Sequence, residues 1–147
     1  MQIDVTDIFC ILGKRGSGKS EIAKHFLRQM DKAEYPILIM DVNDEYSRNE
    51  FENAVIFKTK TLDEYFNGYE KKLSSFIDSN NSGMIVFEDA DVLISQSKLP
   101  MSIYDLIIRG RHKNNPKIMS FLYPQSLSFY LFTIVFPYLK TVMKAEK

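Results

Sequence analysis

One segment of this sequence restricts the possible folds more than any other. Residues 13–20 read GKRGSGKS and fit the pattern G-x-x-x-x-G-K-[ST]. The pattern lies between a short apolar run, Ile8 to Leu12, and a segment in which apolar residues recur at helical spacing. A glycine-rich turn between a buried strand and a helix is the context of a phosphate-binding loop. The segment therefore predicts an α/β domain that binds a nucleoside triphosphate.

The residue types in this loop suit phosphate binding. Its glycines permit backbone angles that are closed to other residues and let amide N–H groups approach phosphate oxygens, and the helix N-terminus adds a partial positive charge. Lys19 is expected to reach the β- and γ-phosphates of ATP, and Ser20 is expected to bind Mg²⁺. The alternative is an ordinary glycine-rich turn. The predicted cofactors are ATP and Mg²⁺, and the predicted binding residues are Gly13, Lys14, Arg15, Gly16, Ser17, Gly18, Lys19 and Ser20.

The remainder of the chain alternates short apolar runs with segments of helical period, which is typical of an α/β domain with a mainly parallel sheet. Thr61 followed by Glu64 is a capping-box pattern that starts a helix. No repeat or linker interrupts residues 1–147, so one domain is expected. The expected helices are Lys19 to Met30, Thr61 to about Asn80, and Pro100 to about Arg109. The expected strands are Ile8 to Leu12, Ile37 to Met40, Ala54 to Phe57, Met84 to Phe87, Ile118 to Tyr123 and, in an ambiguous last stretch, an edge strand at Thr141 to Met143.

The charge balance argues against one class of partner for the isolated chain. Lys and Arg together number 19, and Asp and Glu also number 19, so no overall field attracts the chain to nucleic acid or to an anionic membrane. Any binding of a polyanion must therefore be local. Cys10 is the only cysteine, which excludes an internal disulfide, and we interpret it as a core residue in a reducing compartment. Because no apolar run reaches the roughly 20 residues that span a bilayer, a cytoplasmic protein without a membrane span is expected.

Adjacent acids follow the fourth apolar run. Glu88 and Asp89 come directly after Met84 to Phe87, at the edge of the sheet where ligands bind in open α/β folds. A nucleoside triphosphatase needs one carboxylate near Mg²⁺ and a second that orients and deprotonates water. Because neighbouring strand residues point in different directions, Glu88 is assigned to Mg²⁺ and Asp89 to water, with Asp91 as a substitute for either. The alternative is that these are loop carboxylates which cap a following helix.

Two further polar features lie later in the chain. Gln125 follows an apolar strand, where its amide is able to contact the γ-phosphate or the attacking water; the alternative is a turn residue. The cationic cluster at residues 109–113 suits a helix C-terminus and needs no function there. It is also able to bind DNA phosphates, as are Lys14 and Arg15, although four basic residues are a weak nucleic-acid signal.

Five segments of the chain occur together in an order and spacing known from one family. They are GKRGSGKS at 13–20, ILIMDVNDEY at 37–46, MIVFEDAD at 84–91, RGRHKN at 109–114 and SFLYPQ at 120–125. Together they resemble the FtsK/HerA superfamily of P-loop ATPases, and within it the viral and phage genome-packaging ATPases, in which a Gly-Arg-His triplet precedes a strand that ends in glutamine. The resemblance covers about Ile8 to Gln125. It implies a three-layer P-loop NTPase sandwich of the additional-strand, RecA/ASCE-like class.

The resemblance also implies partners and roles. Its members form an oligomeric ring, usually a hexamer, with ATP sites between subunits, and drive double-stranded DNA through the centre. Glu88 and Asp89 would then be the Walker B pair, Gln125 the polar sensor, and Arg111, or less readily Arg109, an arginine finger on the neighbouring subunit's γ-phosphate. A viral capsid or portal component is a further partner, with the host cytoplasm as the location.

The chain departs from this family in two respects. Its acids read Glu then Asp, whereas relatives usually carry Asp then Glu, and the shorter second carboxylate puts the hydrolysis rate in question. Many relatives also add an N-terminal domain or further C-terminal elements. The parts that grip DNA are therefore expected to be reduced or supplied by a partner.

Three functions stay open on these residues. The first is an ATP-hydrolysing motor subunit that translocates DNA in genome packaging or DNA transfer. The second is a small-molecule P-loop kinase, which fits the size of the chain but has little use for a second acid beside the first. The third is an ATP-binding switch or assembly factor with little turnover, which the Glu-Asp order leaves open. The catalytic residues predicted for the motor are Lys19, Glu88, Asp89, Arg111 and Gln125, and its metal ligands are Ser20 and Glu88.

Overall fold

The structure is a computed structural model that describes residues 8–12, 16–80, 83–89, 101–102, 117–123 and 139–144. Residues 101–102 are helical. The helices are α1 (Lys19–Lys32) and α2 (Leu62–Ser79). The strands are β1 (Ile8–Leu12), β2 (Ile37–Met40), β3 (Ala54–Phe57), β4 (Gly83–Phe87), β5 (Lys117–Tyr123) and β6 (Leu139–Lys144).

The described strands form one parallel sheet. Its order is β3-β2-β4-β5-β1-β6, and every adjacent pair is parallel. β5 pairs with both β1 and β4, so it separates the strand before the glycine-rich loop from the strand before the two acids. This inserted strand confirms the predicted additional-strand class with its mainly parallel sheet.

The two long helices lie on opposite faces of the sheet. On one face Leu27 of α1 packs in a cluster with Ile39 of β2 and Ile56 of β3. On the other face Phe57, the next residue of β3, contacts Tyr65 of α2, with ring centroids 5.4 Å apart. Because successive strand residues point to opposite faces, these contacts place one helix on each side. The result is the three-layer sandwich that the sequence predicts.

β2 and β4 are deeply buried strands. Every residue of β2 is 0% exposed, as are Ile85, Val86 and Phe87 of β4. A parallel strand that is covered on both faces needs apolar residues without alternation, and both runs supply them. This packing fixes where the two strands end, and therefore where the polar residues that follow them lie.

The start of each long helix has a local cause. Gly18 is the N-cap of α1 and has a φ of 86°, a left-handed angle that glycine adopts without steric cost. At α2, Thr61 Oγ1 accepts a hydrogen bond from Glu64 N at 3.2 Å, as the capping box predicts. The return bond differs by one residue, because Glu64 Oε2 accepts from Lys60 N at 3.1 Å.

The predicted elements agree with the structure to within two residues at each described end. The edge strand expected in the last stretch is β6, which pairs with β1 and ends the order of the described strands. Of the predicted helix at 100–109, only residues 101–102 are described, and both are helical. The predicted burial of Cys10 concerns a side chain outside the described part, and the single domain stays a prediction. Neither of the long helices described is apolar enough to cross a membrane.

Candidate active site

The candidate site lies at the carboxyl edge of the parallel sheet. Because the strands are parallel, the residues after β1, β2 and β4 all emerge at this edge. They are the glycine-rich loop with the start of α1, then Asp41, then Glu88 with Asp89. Residues 41–53, which connect β2 to β3, form the β2–β3 segment. Three separate parts of the chain therefore meet at one end of the sheet.

The described half of the glycine-rich loop is built around two left-handed glycines. Gly16 has a φ of 76° and Gly18 a φ of 86°. A Cβ added at Gly18 would meet no atom within 4 Å, so its backbone angle, rather than crowding, is what favours glycine there. Ser17 Oγ is buried and has no hydrogen-bond partner within the described part of the chain. A buried hydroxyl without a partner costs about 1–3 kcal/mol, and a phosphate oxygen at the loop would supply its acceptor.

Lys19 and Ser20 form the first residues of α1, and both are half-buried. They lie at the helix N-terminus, where the helix dipole favours an anion. Gly13, Lys14 and Arg15, the other predicted phosphate-binding residues, lie outside the described residues.

Glu88 is a buried carboxylate that connects two parts of the site. Its Oε1 accepts a hydrogen bond from Ser20 Oγ at 3.0 Å, and its Oε2 accepts one from Tyr46 OH at 2.6 Å. Its backbone N donates to Met40 O at 3.1 Å, which continues the β2–β4 pairing past the strand end. Burial raises the pKa of Glu88 to about 7, although the hydrogen bonds from Tyr46 and Ser20 oppose this shift.

The side-chain oxygens of Ser20 and Glu88 have the spacing of two neighbouring ligands of a magnesium ion. Mg²⁺ prefers oxygen ligands in an octahedron with bonds of about 2.0–2.1 Å, which places adjacent ligands about 2.9 Å apart. Ser20 Oγ and Glu88 Oε1 are 3.0 Å apart. Among the described residues no group of three or more His, Cys, Asp or Glu side chains would hold a metal. Ser20 and Glu88 would supply two oxygen ligands, and Mg²⁺ typically takes its other ligands from waters and phosphate oxygens.

Asp89 faces a different partner from Glu88. Its backbone has a φ of 48°, which is unusual for a residue other than glycine. Its Oδ2 accepts a hydrogen bond from Asn43 Nδ2 at 2.7 Å, and the residue is half-buried rather than buried. The two acids thus point to different groups. Their individual roles stay predictions, and the substitute Asp91 lies outside the described residues.

Tyr46 and Asn43 are site residues that the sequence interpretation missed. Both belong to the β2–β3 segment and contact one acid each. The available signal was their position, because residues after β2 emerge at the same edge as those after β4.

Asp41 holds the start of the β2–β3 segment in a fixed turn. Its carboxylate is 1% exposed and accepts hydrogen bonds from the backbone N–H groups of Glu45 and Tyr46, both at 3.0 Å. Its own backbone N donates to Phe57 O at 2.9 Å. Such a turn satisfies a buried carboxylate locally. Burial, and then the nearby charge of Glu88, raise the pKa of Tyr46, so its phenol keeps its proton and donates to that carboxylate.

Ion pairs connect the far end of the same segment to α1. Glu50 accepts a hydrogen bond from Arg28 at 2.6 Å, and Lys24 Nζ lies 3.8 Å from the same carboxylate. Lys24 Nζ is also 5.3 Å from the ring centroid of Tyr46. Asp31 Oδ1 accepts from Asn53 N at 2.9 Å. The β2–β3 segment is therefore attached to the helix that starts at the glycine-rich loop.

Three of the residues predicted for catalysis or its support lie outside the described residues. They are Arg109, Arg111 and Gln125. The strand that precedes Gln125 is β5, which ends at Tyr123 between β1 and β4. Their predicted roles stay predictions.

The chain matches a protein-family model but no curated protein sequence. The model described as "Helicase HerA, central domain" matches residues 2–121. No curated protein sequence matches the chain significantly. The family match covers both the glycine-rich loop and the two acids.

Solved structures share the fold. The DNA-packaging ATPase B204 of Sulfolobus turreted icosahedral virus has a TM-score of 0.66 and 18% identity, over 95% of this chain and 75% of that one. The genome packaging NTPase B204 of Sulfolobus turreted icosahedral virus 2, solved with AMP, has a TM-score of 0.72 and 17% identity, over 97% and 76%. It has also been solved with AMPPCP and ATP-gammaS. The flagellar accessory protein FlaH of Methanocaldococcus jannaschii has a TM-score of 0.67 and 15% identity, over 95% and 70%. At these identities the likenesses show a shared P-loop NTPase fold.

Proposed function

The chain belongs to the HerA helicase central-domain family, and from that premise we propose that it is an ATP-hydrolysing motor subunit that translocates double-stranded DNA. The match to residues 2–121 also confirms the resemblance to the FtsK/HerA superfamily. Genome packaging or DNA transfer is the process we assign. The likeness of the fold to viral packaging ATPases supports packaging in particular.

The observation that carries this proposal is the contact between Ser20 and Glu88. It joins the helix that follows the glycine-rich loop to the first of two acids, at a separation of 3.0 Å that suits one Mg²⁺. The second acid, Asp89, is adjacent in sequence and faces another direction. A triphosphatase needs both carboxylates, whereas a small-molecule kinase needs only the first.

Each described residue then has one chemical task. Ser20 and Glu88 would hold Mg²⁺, which neutralises charge on the phosphate oxygens when it is bound. Lys19 would bind the β- and γ-phosphates. Asp89 would orient the attacking water and accept its proton, with Asn43 bonded to Oδ2 and fixing the plane of that carboxylate.

The remaining parts of the proposal concern assembly. Arg111 would reach the γ-phosphate bound by the neighbouring subunit, and Gln125 would contact the same phosphate or the water from the end of β5. This places ATP sites between the subunits of a ring, with a hexamer as the expected size. A viral capsid or portal component would dock the ring, in the host cytoplasm.

The experiment that tests this function is steady-state ATP hydrolysis with and without double-stranded DNA, across protein concentration. We expect turnover that is stimulated by DNA and rises cooperatively with concentration. Lys19→Ala and Arg111→Ala should abolish it, while Arg109→Ala, the neighbouring arginine, should retain most of it. Mixing an excess of Arg111→Ala subunits with native subunits should inhibit the native activity, because the arginine acts across the subunit boundary.

The same experiment separates the alternatives. Turnover that is indifferent to DNA and to protein concentration contradicts the motor. Turnover that requires a phosphoryl acceptor indicates a kinase. Tight ATP binding with negligible hydrolysis in a DNA-bound oligomer indicates a nucleotide-dependent switch.

A further inference from the structure

The Tyr46 hydroxyl makes the shortest described contact with the Glu88 carboxylate. Tyr46 OH donates to Oε2 at 2.6 Å, while Ser20 Oγ donates to Oε1 at 3.0 Å. The terminal torsion of a glutamate side chain is broad and has no strong intrinsic preference. Two donors on different oxygens therefore determine the plane of the carboxylate, and only one of them, Ser20, belongs to the predicted metal ligands.

The Tyr46 ring is held on several sides. The residue is 1% exposed, and its ring centroid lies 5.9 Å from that of Phe51 and 5.3 Å from Lys24 Nζ. Its backbone N donates to the buried carboxylate of Asp41 at 3.0 Å. The hydroxyl is thus presented to Glu88 by a residue whose backbone and ring are both fixed.

We propose that Tyr46 is the positioning residue of the metal site, which fixes the Glu88 carboxylate so that Oε1 faces Ser20 and the start of α1. This inference rests on the proposed function, because it assigns Glu88 to Mg²⁺. In this role Tyr46 acts through its hydrogen bond to Glu88 and is not itself a metal ligand. Side chains that orient a metal ligand typically contribute about 10-fold to 100-fold in metal affinity or activity.

A purely structural role for Tyr46 predicts a different result. Its ring belongs to the core cluster on the α1 face, so any change there could alter stability without altering the metal site. Tyr46→Phe keeps the ring and removes only the hydroxyl. The matched control is Tyr35→Phe, because Tyr35 packs against the same cluster and its buried hydroxyl has no hydrogen-bond partner in the described part of the chain.

The test measures metal binding directly, with Mn²⁺ as the probe. Free Mn²⁺ is titrated by electron paramagnetic resonance into the native chain, Tyr46→Phe and Tyr35→Phe, each saturated with an ATP analogue whose β–γ bridge cannot be hydrolysed. Affinity of each variant for the analogue in EDTA serves as the control for folding and for the glycine-rich loop. We expect Tyr46→Phe to bind Mn²⁺ about 10-fold more weakly, with unchanged analogue affinity in EDTA, and Tyr35→Phe to match the native chain.

A double-mutant cycle shows whether Tyr46 acts through Glu88. In the Glu88→Gln background, Tyr46→Phe should change the Mn²⁺ affinity by less than about 2-fold, since coupled residues are not additive. Equal Mn²⁺ affinity of the native chain and Tyr46→Phe overturns the proposal. So does a full 10-fold loss that persists in the Glu88→Gln background.

Failure of this inference is distinguishable from failure of the proposed function. The Mn²⁺ titration requires no turnover, so a native chain that binds Mn²⁺ with the analogue but never hydrolyses ATP contradicts the motor and leaves the Tyr46 result interpretable. A native chain that binds the analogue equally well with and without Mn²⁺ overturns the inference, because Glu88 then holds no metal.

Discussion

In β2 and in β4, the last strand residue and the residue that follows it have opposite effects on folding stability when they are buried. Met40 and Phe87 are apolar and 0% exposed, and the next residues, Asp41 and Glu88, are carboxylates that are 1% and 4% exposed. Burying the apolar residues stabilises the fold, whereas burying a carboxylate opposes folding unless its hydrogen bonds compensate. One step along the chain therefore separates residues that hold the sheet together from two buried carboxylates, of which Asp41 fixes a turn and Glu88 belongs to the candidate site.

Neighbouring residues of the chain should therefore respond differently to mutation. The strand interiors should lose stability when a side chain is truncated, whereas position 88 should gain stability when its charge is removed, because burial raises the pKa of Glu88.

Ile39→Ala should cause the largest loss. Ile39 is 0% exposed in the centre of β2, and replacing a buried isoleucine by alanine costs about 2–5 kcal/mol through lost transfer energy and a cavity. The free energy of unfolding by urea, with Ile39→Val as the matched smaller truncation, checks this. A loss below about 1 kcal/mol for the alanine variant would contradict the view that β2 is a main source of stability.

Glu88→Gln should instead stabilise the nucleotide-free chain at pH 8. The folded pKa of about 7 exceeds the ordinary value of 4.5 because of burial, so the folded state binds the proton more tightly. The contribution of Glu88 to the free energy of unfolding is therefore fully present below pH 4.5, and it is lost as the pH rises through 7. At about 1.4 kcal/mol for each pKa unit, the rise from 4.5 to about 7 corresponds to about 3.4 kcal/mol.

Urea unfolding in EDTA at pH 5 and pH 8 measures this effect. The free energy of unfolding of Glu88→Gln should exceed that of the native chain clearly at pH 8 and only slightly at pH 5. The variant should not hydrolyse ATP at either pH. Glu52→Gln, which neutralises an exposed carboxylate, is the control and should show no such difference. A Glu88→Gln variant that is less stable than the native chain at pH 8 would show that the hydrogen bonds from Tyr46 and Ser20 outweigh the cost of burial.

Asn43→Ala should reduce hydrolysis with little change in stability. Asn43 is exposed, and its amide donates to Asp89 Oδ2 at 2.7 Å. Loss of this bond frees the carboxylate that we assign to the attacking water, and misorientation of a general base should lower kcat by about 10-fold. Steady-state kinetics with Asn53→Ala as the control, in the same segment but bonded to Asp31, checks this. A higher kcat in Asn43→Ala would mean that Asn43 restrains Asp89 instead of aligning it.

Arg28→Ala should have the smallest effect. The ion pair of Arg28 with Glu50 joins α1 to the β2–β3 segment at 2.6 Å, but its arginine side chain is 46% exposed. Exposed pairs contribute about 0–1 kcal/mol. Thermal unfolding of Arg28→Ala and of the control Arg28→Lys, at low and at high salt, measures the contribution of this ion pair to stability. A larger loss would indicate that this pair, rather than the buried Tyr46 and Phe51, holds the segment in place.

The sequence predicted the parts of this molecule that depend on local pattern. Buried strands read as apolar runs because both of their faces are covered, so the described strand ends were found to within two residues. Tyr46 and Asn43 could not be assigned in the same way. Their contacts with Glu88 and Asp89 depend on how the β2–β3 segment folds back over the sheet edge, and the residue pairs are separated by 42 and 46 positions.

The position of β5 between β1 and β4 has a consequence for the order of events during synthesis. β1 and β4 are not neighbours, and both obtain their shared partner only when residues 117–123 have left the ribosome. Until then β1, which precedes the helix of Ser20, and β4, which precedes Glu88, lack the strand that pairs with both of them. We therefore expect a nascent chain that ends before residue 117 to gain no protection from proteolysis when ATP is added, and a chain that extends past β5 to gain it.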